Sequence, residues 1–127
     1  MITLGVVSIV VADMAKSIDF YSRLGLELSD GATGDDHAGF AGSGVRVMLD
    51  SEALIQKLHE GWTRPTGGHA VALAFQCETP ASVDEIHNLL VSTGSMSVQE
   101  PWDAFWGQRY ATVADPDGNP VDLFCPL

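Results

Sequence analysis

Residues 4–26, LGVVSIVVADMAKSIDFYSRLGL, read as a strand, a cap, a helix and a stop in succession. Leu4 to Val11 is a β-branched run, the composition expected of a strand buried on both faces. Asp13 follows where a carboxylate can accept from the free N–H groups of a first helical turn. Met14, Ile18 and Tyr21 then recur at helical spacing, and Gly25 stands at the C′ position, where a left-handed residue ends a helix.

The same order returns about half the chain later. Val71 to Cys77 has strand composition; Thr79-Pro80 opens a helix with proline in its first turn; Val83, Ile86 and Leu90 form its apolar stripe, and Gly94 stops it. Ser17-Ile18-Asp19 in the first helix is echoed by Ser82-Val83-Asp84 in the second. Each helix is followed by strand material: Leu26 to Leu28, His37 to Ala41 and Val45 to Leu49, then Met96 to Gln99, Gln108 to Ala114 and Val121 to Phe124. Asp30 to Asp36 reads as a turn, Gly42-Ser43-Gly44 as a hairpin connection, Ser51 to Glu60 as a short helix, and Gly61 to Gly68 as a loop carrying Trp62. The expected fold is α+β: one domain over 1–127, built of two βαβββ modules at roughly 1–60 and 67–127. Each module is too small to cover its own sheet, so the two sheets should curve around a shared cavity.

With 127 residues, 46% hydrophobic and 18% charged, the chain can bury a core and is not a disordered segment. Seventeen acids against six Lys and Arg give a net charge of -11, which excludes nucleic acid as a partner and tolerates neutral or cationic ligands. Cys77 and Cys125 sit in apolar runs and read as small buried hydrophobes; one bridge between them would define no scaffold. Met1-Ile2-Thr3-Leu4 lacks a basic leader, and no apolar run approaches the ~20 residues of a membrane span. A cytoplasmic protein without membrane association is expected.

The final stretch, PWDAFWGQRYATVADPDGNPVDLFCP at 101–126, concentrates the chemistry. Trp102, Phe105 and Trp106 crowd a Gly-containing turn, and aromatic faces presented on a loop bind flat ligands at low entropy cost. An Asp115-Pro116-Asp117-Gly118-Asn119 turn leads into an apolar strand broken by Asp122. No Gly-x-Ser-x-Gly elbow, HExxH or CxxC spacing occurs, and His37, His59, His69 and His87 are scattered, with His87 expected to face solvent.

Asp13-Met14-Ala15-Lys16-Ser17-Ile18-Asp19-Phe20-Tyr21, Leu24-Gly25-Leu26, and the terminal Asp115 to Asn119 turn with Val121-Asp122-Leu123 resemble the vicinal-oxygen-chelate superfamily. That superfamily includes glyoxalase I, extradiol dioxygenases, fosfomycin-resistance enzymes and bleomycin-resistance proteins, and the resemblance covers nearly the whole chain. Pro101, Trp102 and Trp106-Gly107-Gln108-Arg109-Tyr110, with Pro65 to His69, are most similar to its mitomycin-binding resistance proteins. Those sequester an antibiotic by stacking its planar ring on an aromatic side chain in a homodimer cleft.

Metal-dependent members place His, Glu or Gln on the first and last strands of each module. The resemblance carries those positions to Val6, Met48, Val71 or Ala72, and Asp122, three of them apolar. The expectation is a protein with no metal and no cofactor, in which His69 caps or hydrogen-bonds. If Asp122 faces the cavity, alternation turns Phe124 the same way and sets Arg46, Met48 and Asp50 on the matching face of the first module. The expected ligand contacts are Trp106 as the stacking platform; Trp102, Phe105 and Phe40 as walls; and His37, Arg46, Gln108 and Asp122 as polar partners, with Met48 and Tyr110 lining the same surface. The functional expectation is a homodimeric protein that sequesters a planar or aromatic antibiotic, with no catalytic residue. The alternatives are a glyoxalase- or dioxygenase-like enzyme, with Asp122 or His37 as a base in a metal-free form, and a carrier of a biosynthetic intermediate.

Overall fold

A computed structural model describes residues 1–42 and 44–127; Ser43, at the centre of the expected Gly42-Ser43-Gly44 connection, lies outside the described residues. The chain forms two compact units, Met1–Thr66 and Gly67–Leu127. The first holds β1 (Val6–Val11), α1 (Met14–Arg23), β2 (Glu27–Asp30), β3 (His37–Ala41), β4 (Arg46–Ser51) and α2 (Glu52–Leu58). The second holds β5 (Leu73–Gln76), α3 (Pro80–Ser92), β6 (Ser97–Ala104), β7 (Gln108–Ala114) and β8 (Pro120–Pro126). Each unit is a four-stranded mixed sheet, ordered β1-β4-β3-β2 and β5-β8-β7-β6. In each, the first and last strands run parallel and the remaining pairs antiparallel, which is the repeated βαβββ order.

The signals in the sequence act locally as their chemistry requires. The Asp13 carboxylate accepts from the Lys16 amide at 3.0 Å, satisfying a free N–H at the start of α1. Thr79 does the same for Ser82 at the start of α3, where Pro80 gives up no needed donor. Gly25, at φ 94°, takes the left-handed conformation that closes α1.

Helices cover one face of each sheet. In the first unit, Ile18 and Tyr21 of α1 are buried, as are Phe40 and Leu49 of β3 and β4. In the second, Val83 and Leu90 of α3 are buried, as are Ala111, Val113, Val121 and Leu123. Along β8 the alternation is clean: Val121, Leu123 and Cys125 are buried, while Asp122 and Phe124 face the other way and are half-buried.

Four sequence expectations change. β1 is not buried on both faces; it is an edge strand, and Val6 and Ser8 are exposed. β5 begins at Leu73 rather than Val71. β6 runs on to Ala104, so Trp102 belongs to a strand and not to a loop. His87 does not face solvent: it is 4% exposed, and its Nε2 lies 2.7 Å from Ser97 Oγ on β6. Both cysteines are buried and free, and the Cys77 amide extends the β5–β8 ladder by donating to Phe124 O at 2.7 Å. Among the described residues, no helix is long and apolar enough to cross a membrane.

Candidate functional site

The uncovered face of the second sheet is set by two local devices. The first is the Asp115 to Asn119 turn. Asp115 Oδ1 accepts from the amides of Asp117 and Asn119 at 2.9 and 2.8 Å, and its Oδ2 accepts from Asn119 Nδ2 at 2.9 Å. This closed turn aligns β7 with β8 so that Thr112 stands opposite Asp122 and Tyr110 opposite Phe124. The second device is a bulge in β6 between Gln99, opposite Thr112, and Trp102, opposite Tyr110. Three steps on β6 meet two on β7, and the extra residue returns Trp102 to the open face. Pro101 is tolerated there because β6 is the edge of the sheet.

Trp102, Tyr110 and Phe124 therefore stand abreast on three adjacent strands. Beyond them Gly107, at φ 93°, turns the chain so that its amide returns to Ala104 O at 3.0 Å. The turn presents Trp106, whose ring lies edge-on to Trp102 at 5.5 Å, to Phe105 at 4.9 Å and to Tyr110 at 5.2 Å. Its indole N–H donates to Gln108 Oε1 at 2.8 Å, fixing the ring's rotation. Trp106 remains 48% exposed and Phe105 90% exposed. The Trp102 Nε1 atom is buried and, among the described residues, has no hydrogen-bond partner.

Asp122 lies beside this cluster. Its two oxygens accept from the Tyr110 hydroxyl and from Thr112 Oγ1, each at 2.7 Å. Burial first, and then the hydrogen bond and charge of Asp122, push the Tyr110 phenol up to about 12. The structure thus brings Trp102, Phe105, Trp106, Gln108, Tyr110 and Asp122 together. Thr112, absent from the sequence-based set, joins them; the alternation that pairs Gln108 with Tyr110 carries on to Thr112, and the register of the Asp115 turn sets it opposite Asp122.

Arg109, next in the chain, points to the helical side. It grips Asp84 of α3 with two bonds, Nε to Oδ1 at 2.9 Å and Nη2 to Oδ2 at 2.8 Å, and reaches Asp103 Oδ1 at 3.2 Å. The hydrogen bond from Arg109 holds the Asp84 carboxyl below its usual range. Arg109 is a strap between α3 and the β6–β7 hairpin.

In the first unit, His37, Arg46, Met48 and Asp50 share the face turned away from the helices, as their register requires. His37 Nδ1 is 2.6 Å from Asp50 Oδ1, and Nε2 is 3.7 Å from Asp30 Oδ2. Arg46 donates to Phe40 O at 3.2 Å and to Ser29 Oγ at 3.4 Å. Phe40 does not join them. It lies one residue out of phase on β3, is 1% exposed, and packs its ring 6.3 Å from Tyr21 in the core. It is a core residue and not a ligand wall, because strand alternation sends it to the helical side.

The donor set for a family-type metal does not fit. Val71 and Ala72 precede β5, and the residue beside Asp122 is Ala74, while Ser8 stands beside Met48. Both Asp122 oxygens already accept from hydroxyls. His69 is exposed and also precedes β5. Among the described residues, no group of three or more His, Cys, Asp or Glu could hold a metal ion.

Residues 3–123 match the glyoxalase/bleomycin resistance protein/dioxygenase superfamily. An uncharacterized protein of Mycobacterium bovis is 32% identical, the alignment covering 94% of this chain and 80% of the relative. A glyoxalase/bleomycin resistance protein/dioxygenase family enzyme from Burkholderia phytofirmans PsJN superposes with a TM-score of 0.88 at 17% identity, over 99% of this chain and 100% of that one. TioX from Micromonospora sp. ML1 does so with a TM-score of 0.68 at 22% identity, over 98% and 99%. At those identities the two structures speak to the fold alone; the family match itself spans nearly the whole sequence, and the chain belongs to the glyoxalase/bleomycin resistance protein/dioxygenase superfamily.

Proposed function

We propose that this protein sequesters a planar or aromatic small molecule of the antibiotic type on the open face of its second unit, protecting its host by binding rather than by turnover. One observation carries the reading: Trp106 is half exposed yet held on three sides by rings and by its bond to Gln108. An indole already fixed in place loses little freedom when a flat ligand stacks on it, so the stacking energy is not consumed by ordering the side chain. The similarity of Pro101 to Tyr110 to mitomycin-binding resistance proteins supports the same use of Trp106. By that similarity the protein acts in the cytoplasm as a homodimer with two equivalent sites and needs no metal.

An enzymatic reading rests on His37, whose ring is oriented by Asp50 at 2.6 Å as a general base would be. Calorimetric titration with planar antibiotics, followed by extraction of the ligand, separates the two. Sequestration gives one equivalent bound per site and the compound recovered unchanged. Loss of more than one equivalent per site would establish the enzyme instead.

A further inference from the structure

We infer that the planar ligand of the second unit's open face is a cation, an inference that rests on the stacking role proposed for Trp106. Among the described residues, Asp122 is the only charged side chain on this face that bonds into the aromatic cluster, through the Tyr110 hydroxyl. Its second oxygen is held by another neutral hydroxyl, that of Thr112. Hydroxyl donors orient a carboxylate without neutralising it, and among the described residues no Lys, Arg or His pairs with Asp122. The nearest cation in sequence, Arg109, is committed to Asp84 and Asp103 on the opposite side of the sheet. A half-buried carboxylate without a counter-charge would be matched by a positive ligand and would repel an anionic one.

The rings favour the same sign of charge. Trp106, Trp102 and Tyr110 gather three π-systems, Trp106 edge-on to each of the other two, on the face that carries that carboxylate, and a cation placed over an aromatic face is attracted most strongly where water is excluded. Tyr110 couples the two features, with its ring 5.2 Å from Trp106 and its hydroxyl 2.7 Å from Asp122. The buried indole N–H of Trp102, which has no partner among the described residues, is a further donor at this cluster, available to an acceptor atom on the ligand. The chain's net charge of -11 would add long-range attraction for a cation.

The test is a matched pair of flat probes, quinoline and N-methylquinolinium, titrated calorimetrically into the whole protein at neutral pH and low salt. The cation should bind about tenfold more tightly than its neutral partner, the size expected of a partly desolvated cation on aromatic faces beside a carboxylate. Asp122→Asn should bring the ratio of the two affinities to within about threefold. Equal affinities in the unaltered protein would overturn the inference while leaving the stacking role intact. Failure of both probes to bind would remove the stacking role and the inference with it. A preference for the cation that survives Asp122→Asn undiminished would assign the selectivity to other groups and overturn the part given to Asp122.

Discussion

The Tyr110 hydroxyl reaches diagonally across the β7–β8 hairpin to the Asp122 carboxylate at 2.7 Å, and the bond ties the aromatic cluster to the sheet's central acid. Tyr110 therefore ionises late. Its phenol is raised from 10.0 to about 12 in the folded protein. Because the folded value is the higher, this contribution to stability is complete below the ordinary tyrosine value and is lost as pH climbs through the folded one. In a Tyr21→Phe background, which isolates Tyr110, near-ultraviolet tyrosinate absorbance should appear only toward pH 12. Asp122→Asn should move it part of the way back, since burial remains; an ordinary midpoint in the parent would contradict the bond.

Trp106→Ala should leave the fold in place, because the ring is half exposed and its loss opens no core cavity. Affinity for a planar ligand should fall about tenfold or more, the scale of one stacked aromatic with its buried area. Circular dichroism checks the fold and calorimetry the affinity. A variant that folds and binds as before would remove Trp106 from the site.

Arg109→Lys keeps the charge but loses the two-pronged grip on Asp84. The melting temperature should drop near neutral pH and differ less from the parent in acid. Asp84 is held below its usual range, so its contribution is present above the ordinary carboxylate value and lost as pH falls through the lowered one. Thermal melts from neutral to acid pH read this directly: the two curves should converge at the acid end.

Phe40→Ala should destabilise the protein by about 3–5 kcal/mol, the cost of emptying a large aromatic site in a core. Urea unfolding measures it. Retained ligand affinity in whatever fraction stays folded would agree with its position behind the first sheet, against Tyr21.

Much of the fold was legible because its signals are local. A capping carboxylate at Asp13, a proline at Pro80, a stop at Gly25 and the repeated strand–helix order each act within a few residues. The face shared by Gln108, Tyr110, Asp122 and Phe124 also followed from alternation, since β7 and β8 are regular along that length. Alternation failed where strands depart from regularity or where an element's packing is set from afar. His87 looked like a surface residue on α3, yet the face it occupies is covered by β6 and Ser97. Phe40 is a different case: three residues from His37 on a regular strand, it cannot share His37's face, so alternation already excludes it as a wall once His37 is placed.

The chain's own order of residues determined two βαβββ modules, a capped helix in each, and a run of aromatics next to a tight Asp-Pro-Asp-Gly-Asn turn, because propensity, capping and turn chemistry operate between near neighbours. Tertiary pairing alone decided that Trp102 rejoins Tyr110 and Phe124 on one face. β6 takes five steps from Ser97 to Trp102 against three on β7, in two register shifts, and a bulge exists only relative to the strand beside it.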